Sequence, residues 1–229
     1  MIELTHVYFS YDEVPVLKNI NLSIKRGEKV GIIGESGSGK TTLQKLLTKE
    51  LKPNQGNLEV NGSLLPVFQS PIESFNPRVK ILSSLDEALK YYFKLSKEKR
   101  HAYIKSELPK YDLHESLLYN FPDEVSGGEL QRFNIMRTMI QQSECVICDE
   151  ITSNLDVFSE KEIIHLLNEE YERRKNTLLI ISHNIAMLSH VVDRIIVLYQ
   201  QEIVDDFRVE EIFSEKRHRY TKELVNLFR

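Results

Sequence analysis

The chain has 229 residues, 41% of them hydrophobic and 28% charged, with a formal net charge of −4, the make-up of a globular protein long enough to build a core without disulfide or metal staples. The acid excess supplies no field for neutralising nucleic-acid phosphates, so no nucleic-acid partner is expected. No apolar run approaches the roughly 20 residues of a membrane span, and the opening MIELTHVYF alternates and carries Glu3, unlike a secretory signal.

In chain order, IELTHVYFSYDE and VLKNINLSIKRGEKVGIIG alternate apolar and polar residues, with breaks at 12–15 and 26–27. They predict antiparallel strands leading into a buried strand over 29–33. After the turn GESGSGKTT at 34–42, Leu43, Leu46, Leu47 and Leu51 recur at helical spacing, and Pro53 is expected to close that helix. NLEVNG and LLPVFQ predict short strands. From Ser70 to about Gln142 strand signals vanish, and SSLDEALKYYFKLSKEKRHAYIKSEL predicts helices with charged outer faces. Residues 70–142 therefore form an inserted helical subdomain by this reading, interrupting a core of 1–69 and 143–229 within one domain. Strand-like runs return as CVICD, TLLIIS, RIIVLY and EIVDDF, the first three separated by helical stretches. The expected class is α/β, with a mainly parallel sheet, an N-terminal antiparallel β subdomain and an inserted α-helical subdomain. Cys145 and Cys148 make a C-x-x-C, but three residues apart on a strand they point to opposite faces, so they are expected to be inert core thiols.

The turn fits G-x-x-x-x-G-K-[ST] at Gly34, Gly39, Lys40 and Thr41, with a strand before and a helix after. Gly34, Gly37 and Gly39 let successive amides face a phosphate chain. The helix adds its positive end, Lys40 would pair with the β and γ phosphates, and Thr41 would ligate Mg²⁺. VICDE is an apolar strand ending in Asp149 and Glu150. Acids at the carboxyl end of a parallel strand face the crevice where such sheets bind ligands. Asp149 suits Mg²⁺, and Glu150 suits proton abstraction from an attacking water.

Those two motifs are common to many NTPases. VSGGELQR at 125–132 narrows the choice, and here the chain resembles an ATP-binding-cassette (ABC) ATPase along its whole length. The matching elements fall in order: Tyr11 in FSYDE, the phosphate loop, Gln69 in VFQS, SGGELQR, CDE, SNLD at 153–156 and His183 in IISHN. The resemblance implies a P-loop NTPase core of RecA-like type, with ATP and Mg²⁺ bound. It implies that Tyr11 stacks on adenine and that Val16 lies beside the nucleotide. Glu35, Ser36, Ser38 and Thr42 complete the phosphate loop's contacts. Gln69 would touch Mg²⁺ and water at the hinge into the helical subdomain, and His183 would steady the attacking water. Ser126, Gly127, Gly128 and Glu129 would complete the ATP site of a second cassette, with Asp156 lining the same interface. Two departures, Ile151 for a common proline and Glu129 for a frequent glutamine, remove neither a ligand nor a base. The intact Glu150 and His183 argue against a non-enzymatic nucleotide sensor.

VFQSPIESFNPR and EEIFSEKRHRYTKEL resemble segments of peptide and nickel importer ATPases, with Arg219 in place of a usual proline. Peptide-importing relatives commonly extend further, some with a cysteine cluster, which favours the short branch importing nickel, cobalt, zinc or a metal–metallophore complex. An oligopeptide importer is the alternative. A soluble ABC ATPase of DNA repair or translation would usually carry a coiled coil or second cassette. The resemblance implies two transmembrane permeases, a second cassette (a paralogue), an extracellular substrate-binding protein acting indirectly, and a peripheral place on the cytoplasmic face of the membrane.

Overall fold

The computed structural model describes residues 1–153 and 155–227. Strands β1 (Ile2–Tyr11) and β2 (Val14–Ile24) form a hairpin, and β3 (Lys29–Ile33) leads into helix α1 (Lys40–Leu47). Strands β4 (Gln55–Val60) and β5 (Leu64–Val67) follow, then helices α2 (Pro71–Ser74), α3 (Ile81–Tyr92), α4 (Lys97–Glu107) and, after three short 3₁₀ turns, α5 (Gly127–Met139). The remainder is β6 (Cys145–Asp149), α6 (Val157–Arg174), β7 (Thr177–Ser182), α7 (Ile185–Ser189), β8 (Arg194–Tyr199), β9 (Glu202–Arg208) and α8 (Arg219–Leu227).

Two sheets result. One is antiparallel in the order β2-β1-β4; the other is six-stranded in the order β5-β6-β7-β3-β8-β9, parallel except for the β8–β9 pair. The parallel strands are buried on both sides, which is why they read as apolar runs rather than alternations. One core fills the space between the main sheet and helices α3 to α6, and a second lies between that sheet, α1 and the antiparallel sheet. Cys145 belongs to the second core and Cys148 to the first, so the alternation of β6 puts them on opposite faces of the sheet. Both are free and buried, and burial pushes the Cys145 thiol up to about 12. They are inert packing residues.

The leucine-spaced helix is shorter than its periodicity suggests. It stops at Leu47 because Lys49 adopts a left-handed backbone (φ 63°) and turns the Leu51 amide back onto the Lys45 carbonyl. Leu51 still packs on the core, but from the turn. The long helical stretch after residue 80 breaks in two at Phe93, where the backbone turns extended before Ser96 caps α4. The face of α4 is also less solvated than its charge suggests. Arg100 is buried and grips Asp86 of α3 through two bonds of 2.7 and 3.0 Å.

Candidate active site

Four neighbouring strands deliver the site. In the order β5-β6-β7-β3, their carboxyl ends lead into Gln69, Asp149–Glu150, His183 and the phosphate loop. Register fixes the middle pair: Asp149 lies opposite Ile181, and the Glu150 amide donates to the Ile181 carbonyl at 2.9 Å. The crevice at these strand ends has a volume of about 620 Å³ and is lined by Val16, Ser36, Gly37, Gly39, Lys40, Thr41, Thr42, Gln69, Asp149, Glu150 and His183.

The loop is moulded by its surroundings. A Cβ on Gly34 would fall 2.2 Å from the Leu198 carbonyl oxygen, and Gly39 (φ 106°) leaves no room beside Leu17 and the Val16 carbonyl. Only glycine closes this turn against β8 and β2. The Lys40 ammonium is buried and donates to the Gly34 carbonyl at 2.7 Å and the Glu35 carbonyl at 2.9 Å. The Ser38 amide also bonds the Glu35 carbonyl, while the Ser38 hydroxyl is buried without a partner among the described residues. Burial pulls Lys40 below its ordinary pKa, and the charges of Glu150, Asp149 and Glu35 oppose that. Burial and the neighbouring Glu150 push the Asp149 carboxyl up to about 6, with Lys40 opposing. A buried hydroxyl, a buried ammonium and a glycine-rich turn opening a helix fit a polyphosphate. The under-compensated Asp149 beside Thr41 fits a divalent cation, since Mg²⁺ takes sparse protein oxygens together with phosphates and water.

Glu150 has a left-handed backbone (φ 46°), which costs about 1–2 kcal/mol in a non-glycine residue. Its carboxylate is flanked on both oxygens. Gln69 Nε2 approaches Oε2 at 3.4 Å, and His183 Nδ1 lies 3.8 Å from Oε1. Ser153, to which the sequence reading assigned no role, holds this group together. It accepts from Gln69 Nε2 at 3.0 Å and donates to the Glu150 carbonyl at 2.9 Å. Its only sequence signal is a serine three residues past a carboxylate at a strand end.

Other expected site residues lie elsewhere. Tyr11 ends β1, is 44% exposed and meets Phe9 edge to face, outside the lining of the crevice. Ser126 caps α5 in a capping box with Glu129, whose carboxylate accepts from both the Ser126 amide and its hydroxyl. Asp156 caps α6 through the Phe158 and Ser159 amides. Gly128 and Ser159 are neighbours, so the two helix starts form one patch, apart from the crevice. Asn154 of SNLD lies outside the described residues.

Residues 17–153 match the family model described as ABC transporter. The chain belongs to the ABC transporter family, as an ATP-hydrolysing cassette with the P-loop NTPase fold. It is 47% identical over 231 aligned positions to the "Nickel import system ATP-binding protein NikE" of Staphylococcus aureus strain bovine RF122 / ET3-1, covering 100% of this chain and 99% of that one. The NikE of strain N315 is 46% identical over the same span. Among solved structures, the ATP-binding cassette MJ0796, a dimer in a post-hydrolysis state bound to ADP and Pi, superposes with a TM-score of 0.81 at 26% identity, covering 91% of this chain and 99% of that one. The fold is also that of cbiO1 from Clostridium perfringens (part of the complex cbiONQ), with a TM-score of 0.84 at 24% identity over 99% of this chain and 94% of that one.

Proposed function

We propose that this chain is the MgATP-hydrolysing subunit of an importer for nickel or a metal–metallophore complex, with Glu150 as general base. The observation that carries the catalytic reading is the convergence of Lys40, Asp149, Glu150 and His183 on one crevice. Lys40 exchanges the Gly34 and Glu35 carbonyls for β and γ phosphate oxygens. Thr41 and Asp149 would hold Mg²⁺, whose charge neutralises phosphate oxygens when bound. Water attacks the γ-phosphorus. A new phosphorus–oxygen bond forms as the bond to the β–γ bridging oxygen breaks, and Glu150 takes the water's proton, giving ADP and phosphate. Gln69 and His183, one at each carboxylate oxygen, orient that base.

Ser126, Gly127, Gly128, Glu129 and Asp156 stand apart from the crevice, and we assign them to the ATP site of a second cassette, a paralogue. Two permeases and an external binding protein would complete the transporter, with this chain on the cytoplasmic face of the membrane. Among the described residues no helix is long and apolar enough to cross a membrane, so passage of cargo falls to those permeases. The nickel assignment follows from the full-length likeness to the staphylococcal nickel import protein. Uptake of radioactive nickel by cells expressing the complete transporter tests it. Lys40→Ala should abolish uptake together with MgATP binding, and full uptake in that variant would overturn the proposal.

A further inference from the structure

Helix α5 turns a row of buried polar side chains toward the two strand ends that carry Gln69 and Glu150. Gln131, Asn134 and Thr138 recur at i, i+3 and i+7, one face of the helix, and all three are buried. Side chains of this kind are costly to bury unbonded, and each finds a backbone carbonyl of a neighbouring segment. Gln131 Nε2 donates to the Ile151 carbonyl at 2.9 Å and Asn134 Nδ2 to the Phe68 carbonyl at 3.0 Å. The Thr138 hydroxyl donates to the Pro66 carbonyl at 3.2 Å.

The first two acceptors flank the reacting pair. Ile151 directly follows Glu150, and Phe68 directly precedes Gln69. The Gln69 amide and the Glu150 carboxylate then meet at 3.4 Å, so helix, strand ends and side chains close a ring. Within it the turn after Glu150 is shaped locally, with the Ser153 amide and hydroxyl both donating to the Glu150 carbonyl at 3.1 and 2.9 Å. Those bonds do not set where the turn lies relative to Gln69. The ladder between β5 and β6 ends at the Val67–Cys148 pair. Beyond it α5 bridges the two strand ends, one amide to each.

We propose that Gln131 and Asn134 are positioning residues for hydrolysis, setting the approach of Gln69 to Glu150 through the backbone next to each. The inference rests on the reading of Glu150 as general base. Neither amide lines the crevice, and the bonds of Lys40 to the phosphate loop do not involve them. Their loss therefore acts on the rate of the chemical step and not on nucleotide affinity. Thr138 differs in one respect. Its acceptor, Pro66, is already paired with Ile147 inside the ladder, so that bond adds nothing to the placement of the site.

Steady-state ATP hydrolysis by the assembled transporter, with MgATP binding by the same preparation, tests this. Gln131→Met keeps the length of the side chain and removes its donor, together with an acceptor oxygen that has no partner among the described residues. Asn134→Leu removes the donor to Phe68. Each should lower kcat about threefold to tenfold, the worth of one hydrogen bond, with the Kd for MgATP within about twofold of wild type. Thr138→Val, on the same face, should change neither. Adding Gln131→Met to Glu150→Gln should cost no further turnover, since the group it positions is already gone. Wild-type kcat in either amide variant overturns the inference, as does a loss that appears in Kd instead. An equal loss in Thr138→Val, or a full-sized loss in the Glu150→Gln background, overturns it too. If Gln131→Met does not fold, Asn134→Leu decides by the same criteria. Turnover near that of wild type in Glu150→Gln alone would instead defeat the reading of Glu150 as the base.

Discussion

In the proposed mechanism Asp149 sits where function and stability oppose each other. Its carboxyl titrates at about 6 in the folded chain against 3.8 unfolded. Between those values the native state holds the proton more tightly, so stability falls as pH rises from about 4 to about 6 and stays reduced above. After allowance for partial exposure the penalty at pH 7 is about 1–2 kcal/mol. Asp149→Asn, without nucleotide or metal, should therefore gain about that much at pH 7 and nothing at pH 4, while losing Mg²⁺-dependent turnover. Thermal melts across that range check it, and a gain independent of pH would contradict it. At this scale the sequence was most informative where a residue type is chemically irreplaceable. That Lys40, Asp149 and Glu150 would meet in one crevice was legible from motif and strand end, and that His183 would join them came from the family resemblance. Ser153 and the left-handed backbone of Glu150 were not, because their roles arise from a turn that leaves no residue signature.

Among the elements, α4 and α6 show how charge can mislead. Both carry dense Lys, Arg and Glu, which predicts solvated faces. Yet Glu107 and Glu170 are 4% and 2% exposed, and they share Arg173 and Arg174 across the two helices. This clasp ties the helices after β5 to the part of the chain that carries β6 and β7. Removing one member leaves two guanidiniums short of a partner in a poorly solvated place. Glu170→Ala should cost about 3 kcal/mol, read as a lower denaturant midpoint with unchanged slope; a loss below about 1 kcal/mol would mean the network is effectively solvated. Periodicity also overran at α1, where a left-handed residue rather than Pro53 sets the end. Strands were easier to read. Burial on both faces leaves near-continuous apolar runs, and β3, β6, β7 and β8 stand where those runs predict.

For the whole molecule, the arrangement has two separated parts. The crevice gathers the phosphate loop, the acids and His183, while Ser126 to Glu129 and Asp156 form a patch that a single chain does not bring to it. Sequence order alone gave no measure of that separation, since the distance between β3 and α5 depends on how the helices pack on the sheet. Efficient turnover in the proposed mechanism thus belongs to an assembly, and its chemistry to Glu150. The decisive measurement is steady-state ATP hydrolysis by the assembled transporter carrying Glu150→Gln, alongside MgATP binding by the same preparation. Binding should persist while turnover falls about 10²–10⁴-fold, the range expected for loss of a general base. Turnover within about twofold of wild type would remove Glu150 from the chemistry and, with it, the mechanism proposed for this site.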